Sequence, residues 1–213
     1  MEEIISIFKK TGVIPVVKLE NKDHAVPLAH ALADGGILCI EITFRSSAAE
    51  ESIKKISFEV PEMLVGAGTV LTIEQAGKAI NAGAKFLVSP GFNPKIVDFA
   101  LSKEIPMFPG VNDPSAIEAA LEKGLTTLKF FPAELSGGCG MLKAFSGPFA
   151  QVKFIPTGGI NLSNLENYLS LPNVLACGGS WLVKQDLIEG NHFKKITYLA
   201  SEANKAAMKY YSE

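Results

Sequence analysis

The sequence predicts an α/β protein, specifically a (β/α)8 TIM barrel with an extra N-terminal helix ahead of the first strand. Eight short apolar segments rich in Val and Ile alternate with helical patterns along the 213 residues. Their starts recur at roughly 20–27 residue intervals, the pitch of βα units. No low-complexity stretch or long charge run divides the chain, and barrels of this kind routinely occupy 200–250 residues as one unit. A single domain over residues 1–213 is therefore expected. A doubly wound open sheet is the competing arrangement, but it lacks its usual GxGxxG after the first strand.

The elements follow in order. Residues 2–10 form a helix expected to plug the barrel bottom. The strands are then Val13–Val17, Ile37–Thr43, Leu64–Ala67, Phe86–Ser89, Met107–Pro109, Thr127–Phe131, Phe154–Thr157 and Val174–Cys177. Ser47-x-x-Glu50, Thr72-x-x-Gln75 and Ser163-x-x-Glu166 read as capping boxes. Asn93-Pro94 and Asp113-Pro114 each place a capping side chain before a proline in the first helical turn. Asp34-Gly35-Gly36, Ala82-Gly83 and Lys123-Gly124 fit helix ends. A last helix, roughly residues 191–210, packs outside the barrel.

Composition excludes several functions. The formal net charge is -2, which gives no basic field for nucleic acid or an anionic membrane. No run of roughly 18 apolar residues is present to span a bilayer. MEEIISIFKK opens acidic and does not read as a signal peptide. Cys39, Cys139 and Cys177 form no CxxC pair and read as reduced core thiols of a cytoplasmic protein. His24, His30 and His192 have no metal-ligand spacing and read as helix-face or surface residues, so no metal is expected.

In this fold the chemistry sits at the C-terminal ends of the strands. On Ile37–Arg45 the period-two alternation puts Leu38, Ile40, Ile42 and Phe44 on a helix-facing side and Ile37, Cys39, Glu41, Thr43 and Arg45 inward. Arg45 is the single arginine among 20 basic residues. Glu41 and Arg45 read either as an ion pair fixing the barrel or as groups that meet a substrate. On Thr127–Phe131 the same parity turns Lys129 inward between phenylalanines. Loss of solvation there favours a neutral amine able to attack a carbonyl. A snorkelling lysine or a salt bridge to Glu41 is the structural alternative. Without a metal, carbonyl chemistry needs another electron sink, and an iminium on lysine supplies one. Thr157-Gly158-Gly159-Ile160 and Gly178-Gly179-Ser180 follow the last two strands, where this fold often binds phosphate; tight turns also need glycine.

At these residues the chain resembles the bacterial 2-keto-3-deoxy-6-phosphogluconate (KDPG) aldolase family, which also handles 4-hydroxy-2-oxoglutarate (KHG). VIPVV, IEITFR, VGAGTVL, FLVSPGF, LKFFPAE, PTGGI and GGSWLV carry the resemblance in order along nearly the whole chain. It implies a class I aldolase with a covalent Schiff-base intermediate on Lys129 and no separate cofactor. It further implies Glu41 as general acid/base and Arg45, helped by Thr69, as the carboxylate site. Pro90 and Phe131 would wall the pocket, and Gly158, Gly159, Gly179 and Ser180 would hold the phosphate. The implied partner is a small phosphorylated keto acid, and the implied assembly is a homotrimer. A phosphosugar isomerase or decarboxylase on the same barrel, with Lys129 acting electrostatically, is the first rival reading. A non-catalytic phospho-acid binder is the second.

Overall fold

The computed structural model describes residues 1–211. The strands are β1 (Val13–Val17), β2 (Cys39–Thr43), β3 (Leu64–Gly68), β4 (Leu87–Val88), β5 (Met107–Phe108), β6 (Gly110–Val111), β7 (Thr127–Phe130), β8 (Lys153–Pro156) and β9 (Cys177–Gly179). The helices are α1 (Glu2–Thr11), α2 (Ala25–Asp34), α3 (Ala49–Glu59), α4 (Ile73–Asn81), α5 (Pro94–Ser102), α6 (Pro114–Glu122), α7 (Gly138–Phe145), α8 (Leu165–Leu169), α9 (Gln185–Glu189) and α10 (Phe193–Tyr211). All strand pairings are parallel. One sheet runs β5-β4-β3-β2-β1-β9 and the other β6-β7-β8.

Among the described residues nine strand segments stand where eight were expected, because Pro109 interrupts the fifth. Proline has no N–H to give a ladder, so the strand splits into β5 and β6. The Pro109 carbonyl still accepts from the Lys129 N–H at 3.0 Å. The last strand also begins later than expected: Val174 pairs with Phe154 in an isolated bridge, and the ladder with β1 starts at Cys177. A second bridge, Thr157 to Gly178, ties the two sheets together.

The proline-linked caps form as the sequence suggests. Asn93 Oδ1 accepts from Lys95 N and Asp113 Oδ1 from Ala116 N, each at 3.0 Å. Thr72 Oγ1 accepts from Gln75 N, while Gln75 Oε1 accepts from Leu71 N. The boxes at Ser47 and Ser163 do not form. α3 has Ala48 at its cap, with already helical backbone angles. Ser163 instead donates to Asn161 Oδ1, within a turn where Asn164 accepts from the Asn161 N–H.

The helix α1 positions the site from below. Phe8 is fully buried and meets Phe86 edge-on, with ring centroids 5.2 Å apart. Phe108 closes the trio at 5.5 Å from Phe8. Gly66 on β3 leaves the room that the Phe86 ring occupies; a Cβ there would overlap the ring. On the outside, Phe130 of β7 packs edge-on against Phe145 of α7.

Phe8→Ala should lower unfolding free energy by about 3–5 kcal/mol through the cavity it leaves. Asp113→Ala should cost about 1 kcal/mol for its lost cap. Ser47→Ala, which removes no cap bond, should change stability by under about 0.5 kcal/mol. Urea unfolding of the three variants tests all of these.

Candidate active site

The alternation of β7 buries Leu128 and Phe130 on the helix side and turns Lys129 inward, where it is 5% exposed. On β2 the inward residues are Glu41, 3% exposed, and Thr43. Leu38 is not in the apolar helix-facing row that the sequence suggested. It lies ahead of β2 and is 41% exposed.

Lys129 Nζ lies 3.4 Å from Glu41 Oε1, so the salt bridge weighed from the sequence is present. Glu41 fits because Gly68 on the neighbouring strand has no side chain; a Cβ there would collide with the carboxylate. The Lys129 amine also stands 5.3 Å from the centroid of the Phe131 ring. Below the pair, Phe8, Ile14, Phe86, Val88, Phe108 and Ile155 form an apolar floor. The space left there is about 10 Å³, room for at most one water.

Above Lys129 opens a cavity of about 250 Å³. Arg45, Thr69, Pro90, Phe131, Gly158, Gly159 and Ser180 line it with Lys129, so seven of the expected binding residues converge on one amine. Glu41 does not line this cavity; it approaches Lys129 from the floor side. Gly179, expected beside Gly158, Gly159 and Ser180, is not part of the wall. Strand alternation turns it toward Trp181, whose ring a Cβ would strike, and Gly178 takes its place. Val16, Thr157 and Ile160 complete the lining and were not assigned from the sequence. Thr157 was legible in principle, since it shares inward parity with Ile155 on β8 and precedes the glycine pair.

Arg45 is held from behind. Its Nε donates to Thr43 Oγ1 at 3.1 Å, and Thr43 in turn donates to the Val17 carbonyl at 2.8 Å. Among the described residues the guanidinium makes no ion pair, so its charge is available to an anion in the cavity. Thr69 has φ 53°, the left-handed region that a β-branched residue rarely enters. Gly158 and Gly159 have φ 104° and 82°, which lets the chain fold tightly around the cavity wall.

Other nucleophiles and ligands lie elsewhere. Burial pushes the Cys39 thiol up to about 12 and Cys177 well above the usual range, so neither is a thiolate at neutral pH. His24 packs against Phe193 on the outer layer. The described residues contain no group of three or more His, Cys, Asp or Glu side chains placed to hold a metal. A larger cavity of about 760 Å³ lies at the opposite end, where Thr127 and Lys153 begin their strands. Lys129 lies outside it.

A buried amine beside a carboxylate, opening on a cavity with one unpaired guanidinium, can condense with the ketone of a 2-oxo acid while its carboxylate is clamped. The comparisons with known proteins agree with this chemistry. Residues 4–199 match the family model described as KDPG and KHG aldolase. The chain is 48% identical to the 2-dehydro-3-deoxy-phosphogluconate aldolase of Haemophilus influenzae, over 94% of this chain and 95% of that one. It superposes at TM-score 0.91 and 42% identity on a KDPG aldolase from Legionella pneumophila with pyruvate captured as a covalent carbinolamine intermediate, covering 93% and 97% of the two chains. It also matches the Zymomonas mobilis 2-keto-3-deoxy-6-phosphogluconate aldolase with 3-phosphoglycerate, at TM-score 0.89, 40% identity and 96% of each chain.

Gly68→Ala should destabilise the fold by about 1–3 kcal/mol through overpacking against Glu41. Chemical denaturation measures the loss, and an unchanged midpoint would mean that the carboxylate does not occupy this space.

Proposed function

The chain belongs to the KDPG and KHG aldolase family, and on that footing we propose that it cleaves 2-dehydro-3-deoxy-6-phosphogluconate to pyruvate and glyceraldehyde 3-phosphate. The same site would cleave 4-hydroxy-2-oxoglutarate to pyruvate and glyoxylate. It is a carbon–carbon lyase of the class I type, working through a covalent Schiff base. The single observation that carries the assignment of residues is the Lys129 amine, buried 3.4 Å from Glu41 and opening on the cavity that holds Arg45.

In this reading Glu41 takes a proton from Lys129, whose amine then adds to C2 of the keto acid. The resulting carbinolamine loses its hydroxyl as water, with Glu41 returning the proton, and a protonated imine forms. Glu41, directly or through a water, next removes the proton of the C4 hydroxyl. The C3–C4 bond breaks, its electron pair neutralises the iminium as an enamine, and the aldehyde leaves. Protonation at C3 and hydrolysis then release pyruvate and restore the amine. Glu41 stands 3.4 Å from the amine on the floor side, so it would reach the amine's proton directly and those of substrate atoms in the cavity through a water, a relay that general acid–base catalysis allows. Arg45 would grip the C1 carboxylate with its two Nη groups, a fork that lysine does not reproduce. Thr69 would complete that grip. Pro90 and Phe131 would wall the pocket, while Gly158, Gly159 and Ser180 would receive the phosphate through backbone amides and a hydroxyl.

We also infer that the two sheets are parts of one closed (β/α)8 barrel and that residues 1–213 form one domain. The supporting observations are that Pro109 alone separates β5 from β6 and that bridges join β8 to the last strand. A homotrimer in the cytoplasm is the corresponding assembly and location. Among the described residues no helix is long and apolar enough to cross a membrane. Light scattering should give a mass three times the 22.7 kDa of the chain.

Borohydride with pyruvate should add a reduced pyruvyl group to the peptide containing Lys129. Label on another lysine would discredit the assignment, and no label at all would favour the isomerase class. Lys129→Ala should abolish cleavage and keep the circular dichroism of the fold. Arg45→Lys should weaken use of the keto acid by about 1–3 kcal/mol in kcat/KM, and unchanged kinetics would refute the clamp.

A further inference from the structure

The residue that follows the LKFFPA run, Glu134, is not accounted for by the chemistry above. It opens a 3-10 turn after β7, close behind the strand that carries Lys129. Its backbone N–H donates to the Gly158 carbonyl at 3.1 Å, and that of Ala133 donates to Thr157 at 2.8 Å. The Glu134 side chain lies against Gly159: a Cβ on that glycine would sit 2.5 Å from Glu134 Cγ. The segment after Lys129 is thus the surface on which the Gly158–Gly159 loop is moulded.

The carboxylate of Glu134 is itself restrained. Tyr168, on α8, donates its hydroxyl to Glu134 Oε1. The tyrosine is 1% exposed while Glu134 is an exposed residue, so the buried ring presents its hydroxyl to a carboxylate at the edge of the protein. Burial, and next the bonded carboxylate, hold the Tyr168 hydroxyl above the ordinary phenol range, which keeps it a donor. Gly138 makes space for the pair; a Cβ there would stand 3.0 Å from the Tyr168 hydroxyl. The carboxylate does not line the cavity, although the glycine it touches does. An untethered carboxylate beside this loop would oppose any anion bound there, since like charges repel.

We propose that Glu134 and Tyr168 are positioning residues for the phosphate end of the substrate. Glu134 shapes the Gly158–Gly159 loop, and Tyr168 holds the carboxylate of Glu134 away from the anion. The inference rests on the reading that this loop takes the phosphate, and it makes the pair a determinant of preference between phosphorylated and unphosphorylated substrates. Neither residue moves a proton in the reaction.

Tyr168→Phe should raise KM for the phosphorylated substrate about tenfold, leave kcat within about twofold, and leave 4-hydroxy-2-oxoglutarate kinetics unchanged. Adding Glu134→Gln to that variant removes the freed charge and should recover most of the lost affinity. Glu134→Gln alone, which keeps an acceptor for Tyr168, should resemble wild type. Thermal unfolding of each variant checks that the fold is retained. An equal loss on both substrates, a fall confined to kcat, no change at all, or no recovery in the double variant would overturn the proposal. Inhibition of the wild-type enzyme by inorganic phosphate separates the clamp from the phosphate site it serves. If phosphate competes with the phosphorylated substrate, a failed variant series sinks the clamp alone. If it does not, the phosphate reading fails, and the clamp falls with it.

Discussion

Burying an ammonium and a carboxylate side by side is the constraint on which the rest of this molecule depends. Lys129 and Glu41 stand 3.4 Å apart with almost no exposure. Removing two charges from water costs several kcal/mol for each ion, and mutual attraction offsets this only when geometry is good. Neighbouring parts of the structure serve that geometry. Gly68 leaves the volume that the carboxylate fills, and the Pro109 carbonyl fixes the backbone of Lys129. The three phenylalanines below leave little room for water to screen the pair from the floor side. The amine therefore has one open direction, toward the cavity, and that is where a ketone would arrive in the proposed reaction.

The floor and the mouth are built from different materials. The floor is aromatic, packed edge-on between Phe8 and Phe86 and tilted between Phe8 and Phe108, and Phe8 comes from a helix that precedes the first strand. The mouth is made of loops in unusual backbone conformations: Thr69, Gly158 and Gly159 all have positive φ. Strain at Thr69 is tolerated because the β3 ladder before it and the Val70 N–H bond to the Val88 carbonyl after it over-determine the chain, and such outliers tend to gather where ligands bind. Stability is concentrated at one end of the strands and adaptability at the other.

Much of this was legible in the sequence. Parity along two strands was enough to turn Glu41, Thr43 and Lys129 inward, because a period of two leaves no other choice once one face is apolar. The proline-linked caps at Asn93 and Asp113 were legible because proline fixes the backbone at the first turn. The Ser47 and Ser163 boxes were not, since a cap depends on the chain entering the helix extended, and neighbouring turns decided otherwise. Which glycine of the Gly178–Gly179 pair lines the cavity was not legible for a related reason: two adjacent glycines look alike in sequence, and the Trp181 ring lies against the Cβ position of Gly179. The position of Glu41 below the amine, rather than on the cavity wall, depends on Gly68 of another strand, a relation that no local pattern encodes.

The solitary guanidinium at the cavity gives the protein a property that a chain with many arginines would lack. Arg45 is the only arginine of 213 residues, and its Nε–H is held by Thr43 at 3.1 Å. Isotope labelling of arginine alone would therefore produce one Nε–H resonance, from a group bonded within the protein and free of overlap. Titrating that signal would report occupancy of the pocket in solution, without a chromophore, a coupled assay or any change to the covalent structure.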